Sequence, residues 1–364
     1  MPNEKLPPST RDDPVVTEWA TDPADWDDFV SAHPWGTVYH LTAWRRVIET
    51  AFPHIEGRFL LLRSCGTGRI LGGLPIYAVK SRILGNRLVS VPFSSFCDPL
   101  AASSRLLALL VEESWRFAKL QNLSSLEIRM FRSVDLAEEA GLSPTRYSLH
   151  HGADLCRPTE EIWATFSEGS VRRRIKRAAS AGIAVSSDLE NPSLHDFAGM
   201  LSDNRRRHSL PDLPFRFFEA MKRHLGPERL SCWLARDRAG KSVAGLLGWR
   251  LGDRFAIEYA ADFFEARAVG ANQLLTWHVM QAVRTAGCVS FSFGRTGLDN
   301  EGLRRYKRHW GTAEGELKEL LLPDALAKTI DKDYSSYRLV QALIAHSPKA
   351  LYKVIGEFCY RHMG

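Results

Sequence analysis

The sequence predicts an α/β fold with mixed sheets, laid out as two successive domains of the same build. Three observations carry that expectation. Strand-like and helix-like stretches alternate along the chain, their order recurs in the second half, and a hairpin from each half aligns through shared glycines. At 364 residues the chain is long enough for two domains, each with its own core.

Residues 1–14 are polar and proline-rich and read as a disordered leader. In the first half, Phe59–Arg63 and Ile70–Ile76 flank the turn Cys65-Gly-Thr-Gly68, the pattern of a β-hairpin. A helix over Arg105–Leu120 keeps Leu106, Leu110 and Phe117 on one face, beside Leu107, Val111 and Ala118, and the short strand Leu126–Met130 follows. Residues 150–185 read as a connector. At its centre Ser170 and Gly182 are expected to cap a basic helix whose Val171, Ile175 and Ala178 turn inward.

The second half repeats the order. Cys232–Ala235 and Ser242–Leu247 flank Arg238-Ala-Gly240, and the strand Phe255–Tyr259 continues the sheet. A helix over Asn272–Ala286 carries Leu275, Val279, Ala282 and Ala286 on one face and leads into the strand Cys288–Phe293. Laying Gly68 on Gly240 brings Leu71, Gly73 and Leu74 onto Val243, Gly245 and Leu246, which reads as an internal duplication. The expected domains are 15–155 and 156–322. A helical, basic tail over 323–364 follows, with Tyr352, Ile355, Phe358 and Cys359 on its apolar face.

Hydrophobic residues make up 45% and charged residues 25%, the range of ordinary globular proteins. A net charge of +6 suits polyanionic partners such as phosphorylated substrates, RNA or an acidic lipid surface, without demanding any of them. The six cysteines are far apart, form no CxxC pair and have no zinc-type histidine spacing, so neither a metal site nor disulfides are expected. With no apolar signal core and no run long enough to span a bilayer, the expected location is the cytoplasm. The basic tail leaves open a peripheral contact with anionic membrane. No DNA partner is expected.

Three segments carry chemistry. The helix at 171–181 sets Arg172 one turn from Lys176 and Arg173 one turn from Arg177, an arrangement that suits phosphate oxygens and equally describes a solvated basic face. The glycine-rich stretch Gly294–Gly311 follows a strand directly, the place where open α/β sheets bind ligands. Within it Lys307 is a candidate to polarise a carbonyl or stabilise an oxyanion; the plainer alternative is a surface lysine beside loop anchors Tyr306 and Trp310. Arg267-Ala-Val-Gly270-Ala-Asn272 precedes a helix, where N–H groups and the dipole face an anion, although Asn272 also reads as a simple N-cap. No Ser-His-Asp elbow, Walker loop or HExxH motif is present, and His278 reads as a packed or surface residue within a helix.

Several segments together resemble the FemAB-like branch of the GNAT (N-acetyltransferase) superfamily, from Trp26 to Glu319. They are Tyr39-His-Leu-Thr-Ala-Trp44, Gly72-Gly-Leu-Pro75, Leu88–Leu100, Arg172–Ala178 and Asn204–Pro211. The most specific pair is Phe293-Gly-Arg-Thr296 with Leu303–Gly311, which looks like the family's Phe-Gly-Arg-Ser/Thr and Phe-Lys-x-x-Trp-Gly motifs. The 267–272 segment loosely fits the loop by which acetyltransferases hold coenzyme A pyrophosphate.

The resemblance implies two tandem GNAT-like domains with a central cleft and no metal. In the family's peptidoglycan-bridge ligases the donor is an aminoacyl-tRNA and the acceptor an amine of a nucleotide- or lipid-linked muropeptide. Carried over by motif, Lys307 inherits the lysine near the reacting carbonyl, and Arg172, Arg173 and Lys176 become phosphate candidates. The chain departs from the ligases in having no coiled-coil insertion, in Cys97-Asp98 where other branches have Gly-Gly, and in Tyr306 for Phe. It therefore looks closer to the GNAT-like acetyltransferases of polysaccharide and exosortase clusters.

Three functions follow as expectations. The first is acyl or aminoacyl transfer to an amine of a cell-envelope or polysaccharide precursor. Here Lys307 stabilises developing charge, Arg172, Arg173, Lys176 and Arg295 hold phosphates, and Tyr39, His40, Ser94, Asp98 and His208 lie on the acceptor side. The second keeps the class but takes acetyl- or acyl-CoA as donor at Arg267, Gly270 and Asn272, acting on a small sugar or amine. The third is a non-catalytic scaffold recruiting envelope-assembly partners.

Overall fold

The computed structural model describes residues 14–323 except 82 and 84, and residues 341–363 except 342 and 346. The expected leader, apart from Pro14, and residues 324–340 of the expected tail lie outside them. The chain divides into two compact units, one of residues up to Tyr147 with those from Glu316 onward, the other Ser148–Gly315.

The first unit opens with β1 (Val15–Ala20), α1 (Trp26–Ala32), a 3-10 turn at Val38–His40 and α2 (Thr42–Ala51). The hairpin β2 (Ile55–Ser64) and β3 (Ile70–Val79) comes next, then β4 (Arg87–Val89), β5 (Leu100–Ala101), α3 (Ser104–Leu120), β6 (Ser125–Met130) and α4 (Val134–Glu139). Strand β7 (Thr145–Asp154) leads out of the unit, and a returning strand, Ala313–Leu322, leads back and pairs with β6 through residues 318–322. The sheet order is β1-β2-β3-β4-β6-returning strand, with β5 beside β3. Only β4 and β6 run parallel. Leu106, Leu107, Leu110 and Val111 of α3 pack on Leu60, Leu74, Leu126 and Ile128, so the helical apolar spacing finds the alternating faces of the strands. Ser103 caps α3, its side chain accepting from Leu106 N.

The C-terminal helix Lys349–His362 buries Tyr352, Gly356 and Tyr360, one turn apart, with Tyr360 stacked on Phe52. Phe358, expected on the apolar face, is 55% exposed instead. The inner face is set by Tyr360, whose ring meets both Phe52 and Phe93, and by buried Tyr352 two turns earlier, which rotates the helix away from the sequence-based choice.

The second unit holds the rest of β7, α5 (Thr159–Thr165), a π-helical turn Glu168–Arg172, α6 (Arg173–Ser180) and β8 (Ala184–Ser187). It continues with α7 (Asn191–Arg207), α8 (Phe215–Leu225), β9 (Leu230–Arg236), β10 (Ser242–Leu251) and β11 (Arg254–Asp262). It ends with α9 (Ala266–Val269), α10 (Ala271–Thr285), β12 (Ser290–Gly297) and α11 (Glu301–Arg308). The residues expected as a connector are thus a strand and helices of this unit. Ser167, not Ser170, caps the basic helix, accepting from Ser170 N, because the first turn is π-helical and starts earlier. Gly182 ends the helix with φ +79°, as expected.

The sheet order here is β8-β9-β10-β11-β12-β7, and only β11 and β12 run parallel. That is the order and sense of the first unit, including two helices between the first and second strands. The duplication extends to single residues. Gly68 and Gly240 have φ +70° and +80° in their hairpin turns. A Cβ on Gly73 would meet the Trp26 ring at 2.4 Å, and one on Gly245 the Phe197 ring at 2.7 Å. Each hairpin glycine therefore makes room for an aromatic from the helix after the sheet's first strand. No helix among the described residues is long and apolar enough to cross a membrane.

Candidate active site

Pairing between β11 and β12 covers only Arg254–Ala256 against Ser290–Ser292, while β11 runs on to Asp262 and β12 to Gly297. Beyond that point the parallel strands part. A cavity of about 500 Å³ lies there, with Ile257 and Ala260 of β11, Phe293 of β12, and Tyr306 and Lys307 of α11 in its wall. On its other side β12 bulges. Ser292 pairs with Gly152 and Arg295 with His150, so Phe293 and Gly294 together oppose the single residue His151. Gly294 has φ +69°, the left-handed conformation that such a bulge asks of a glycine.

The bulge turns two carbonyls toward α11. Lys307 Nζ donates to Gly294 O at 3.1 Å and Arg295 O at 2.7 Å, and the residue is only 5% exposed. No carboxylate pairs with it among the described residues. A neutral amine has two protons, and two carbonyls satisfy both, leaving the lone pair as the fourth tetrahedral direction. An ammonium would bring a third proton and a charge to a buried position. Burial, aided by the nearby Arg295 charge, accordingly lowers the Lys307 pKa to about 7. The plainer reading of Lys307 as a surface lysine does not hold, although Trp310 is an anchor, fully buried against Phe166 and Phe293.

Helix α11 is held at both ends. The Asn300 side chain accepts from Leu303 N at its start. At its end Thr312 Oγ1 donates to Lys307 O at 3.0 Å and lies 3.4 Å from His151 Nδ1. Glu314 pairs with Arg304 at 2.9 Å and Arg308 at 2.7 Å, and these bonds, Arg304 first, lower its pKa to about 2. His151 is fully buried, and that burial, with the Lys307 charge next, lowers its pKa to about 4.

The basic helix approaches the cavity from α9. Arg174 Nη1 donates to Arg267 O at 3.2 Å and Arg177 Nη1 to Ala268 O at 2.9 Å. Gly270, with φ +90°, separates α9 from α10; a Cβ there would lie 2.6 Å from Arg174 O. This glycine thus serves close packing of α6, a role the sequence reading did not weigh. Arg267 Nε is paired with Asp262 at 2.9 Å, and Asn272 Nδ2 reaches Tyr306 Oη at 3.4 Å. Arg172 pairs with Glu168 at 3.0 Å, whereas Arg173 and Lys176 are exposed with no ion pair among the described residues.

Of the residues singled out from sequence, Lys307, His208, Arg267 and Asn272 line the cavity, and exposed Arg295 supplies one of the carbonyls that hold Lys307. Arg174, Asn204, Gln273 and Thr276 also line it and were missed. Arg174 was one cation in a run that offers no ranking, and polar residues on a helix carry no signal of their own.

Tyr39, His40, Ser94 and Asp98 belong to the first unit and are buried there. Asp98 Oδ1 accepts from Phe131 N, Arg132 N, Ser133 N and Ser133 Oγ at 2.7–2.9 Å. His40 Nε2 contacts Asp98 O at 2.9 Å, and Ser94 Oγ donates to Val91 O at 3.0 Å. Tyr39 stands edge-on to Trp44, their ring centres 5.0 Å apart. Where this unit's own parallel pair ends, residues 90–98 fill the gap. Ser90 N and Cys97 N donate to Glu127 O and Arg129 O, and Arg129 Nη1 donates to Ser94 O. No cluster of three or more His, Cys, Asp or Glu that could hold a metal occurs among the described residues.

Residues 167–308 match the acetyltransferase (GNAT) domain family. FemX is similar over 85% of this chain and 98% of its own, at 15% identity and TM-score 0.69. L-PGS from Bacillus licheniformis is similar over 90% and 98%, at 16% and 0.55. A tandem GNAT protein from the clavulanic acid biosynthesis pathway is similar over 84% and 98%, at 11% and 0.54. At these identities the likeness is one of fold, that of tandem GNAT-like domains. No curated protein matches the chain in sequence. The matched domain makes the chain an acyltransferase.

Proposed function

We propose that this acyltransferase moves an acyl or aminoacyl group onto an amine of a phosphate-bearing cell-envelope precursor, with Lys307 as the catalytic residue. The observation that carries the reading is the buried Lys307 amine on the Gly294 and Arg295 carbonyls, in the wall of the cavity where β11 and β12 part.

With a pKa near neutrality and its lone pair free, Lys307 is suited to act as a general base. The acceptor nitrogen attacks the donor carbonyl carbon as its proton passes to Lys307 Nζ. The tetrahedral intermediate then expels the thiolate or ribose oxygen, which takes that proton from Lys307 and returns the amine to its neutral form. The ammonium formed on Lys307 meanwhile stabilises negative charge on the carbonyl oxygen. Arg173 and Lys176 on α6, with Arg174 at the cavity, support phosphate binding, because guanidinium and ammonium groups outside ion pairs remain available to an anion. Arg172 and Arg267 already hold carboxylate partners and offer less. In the first unit, the internal bonding of Asp98 and His40 favours a role in shaping that unit over one in touching an acceptor.

A coenzyme A thioester is the second donor reading, favoured by the start of α10 at Gly270 beside the cavity. Calorimetric titration of the full chain with acetyl-CoA and free CoA, repeated with aminoacyl-tRNA, separates the two. Saturable micromolar binding of acetyl-CoA selects the thioester. Binding of charged tRNA with steep salt dependence selects the aminoacyl donor. A Lys307→Ala variant that transfers as fast as the parent overturns the catalytic assignment.

A further inference from the structure

His151 has no part in the reaction proposed above, yet it touches both structures that define the Lys307 amine. On β7 it is the single residue opposite the Phe293–Gly294 bulge, whose turn aims the two carbonyls at Nζ. Its ring also meets Thr312, the residue bonded to the Lys307 carbonyl.

Proton accounting fixes the ring's tautomer. Thr312 has one hydroxyl proton, and it goes to Lys307 O at 3.0 Å. The 3.4 Å contact with His151 Nδ1 is then a hydrogen bond only if the ring donates. Glu314 Oε1, 3.8 Å from the same nitrogen, favours a proton there too. Nε2 is left with a lone pair, buried and without a hydrogen-bond partner. Packing alone gives no reason to keep such an atom, since an apolar ring of similar size avoids its desolvation.

We infer that His151 is a positioning residue for Lys307: by donating from Nδ1 to Thr312 while packed against the bulge, it locks the end of α11 to β12 and holds the amine on its two carbonyls. The inference rests on the reading of Lys307 as the catalytic amine. Charged and titratable groups around the pair are Arg295 on β12, Arg304 and Arg308 on α11, Glu314 beyond it, and Asp262, Arg174, Arg267, His208 and Tyr306 in the cavity wall. Substitution of His151 leaves all of them in place, so a change in Lys307 reports its placement.

The test needs no substrate. The full chain is labelled competitively with acetic anhydride across pH, and acetylation of the Lys307 peptide is read by mass spectrometry. In the parent chain Lys307 labelling is expected to reach half-maximum at about pH 7. His151→Asn keeps a donor where Nδ1 stood and is expected to stay within about three tenths of a pH unit of that. His151→Gln places its donor elsewhere, and a loosened, better-solvated amine is expected to titrate about one unit higher or more. Thr312→Val cuts the same link without touching the ring and is expected to move the same way.

The inference is overturned if His151→Gln and Thr312→Val titrate with the parent, or if Asn and Gln shift equally. A parent Lys307 that titrates as an ordinary lysine overturns the catalytic reading instead, whatever the histidine does.

Discussion

Lys307 Nζ lies 2.7 Å from the carbonyl oxygen of Arg295, twelve residues earlier in the chain, and this bond joins α11 to the bulge of β12. Burial, with the Arg295 charge next, favours the neutral amine over the charged one, and that has a consequence for stability. Between the lowered pKa of about 7 and the ordinary lysine value of 10.5, the unfolded chain binds a proton that the folded chain does not. Stability contributed by this group therefore rises with pH across that window, by up to roughly 1.4 kcal/mol per unit. Lys307→Met removes the titration. Its unfolding free energy from urea melts should lack this rise between pH 7.5 and 9.5, and its transferase rate should fall about 10²- to 10⁴-fold. A variant whose stability tracks the parent over that range contradicts the buried neutral amine.

Gly270→Ala tests the approach of α6. The substitution meets a φ of +90° and an Arg174 carbonyl 2.6 Å from the new Cβ, so backbone strain and a collision act together. A loss of about 1–3 kcal/mol is expected, with α6 displaced from α9 and the Arg174 and Arg177 bonds to its carbonyls weakened. Thermal melts check the first effect, and hydrogen exchange at residues 171–180 the second. An alanine variant as stable as the parent would show that the helices have room to spare.

The sheet and its duplication were legible because period-2 and period-3.6 patterns survive in both halves, and because Gly68 and Gly240 punctuate equivalent turns. Lys307 was legible through its motif, not through any physical signal, since a buried neutral lysine and a surface lysine read alike in sequence. What escaped was tertiary. His151 is one of twelve histidines, and only the two-against-one register on β12 marks it out. Asp98 stood out as a polar residue in a distinctive segment, and the sequence holds no hint that a turn 33 to 35 residues further along the chain would need its oxygen. Ser170 and Ser167 are equivalent as caps until the π-helical turn chooses between them.

Asp98→Asn separates a structural carboxylate from one that meets substrate. Its Oδ1 accepts three backbone N–H bonds and one hydroxyl bond across residues 131–133. An amide oxygen accepts less strongly, and the added N–H₂ has no acceptor arranged for it. Destabilisation of about 2–4 kcal/mol is expected, with kcat and KM per folded molecule unchanged. A large rise in KM at unchanged stability would put Asp98 back among the acceptor-side residues.

Glu314→Gln probes how α11 is held beneath the site. Arg304 and Arg308 both bond the Glu314 carboxylate and hold its pKa at about 2, against 4.5 for a free glutamate. A lowered carboxylate pKa contributes stability that is fully present above 4.5 and is lost as pH falls toward 2. The arginines are partly exposed, so solvent screening keeps the contribution modest. Glu314→Gln should therefore melt a few degrees below the parent at pH 7, and the gap should narrow as the pH drops below 4.5. The same substitution frees the two arginines that flank Lys307 on its helix, so the transferase rate should fall by more than the lost stability accounts for. Melting curves at pH 7 and pH 3, set beside the rate at pH 7, check both. A melting gap that stays constant with pH would assign the Glu314 effect to packing and not to its charge.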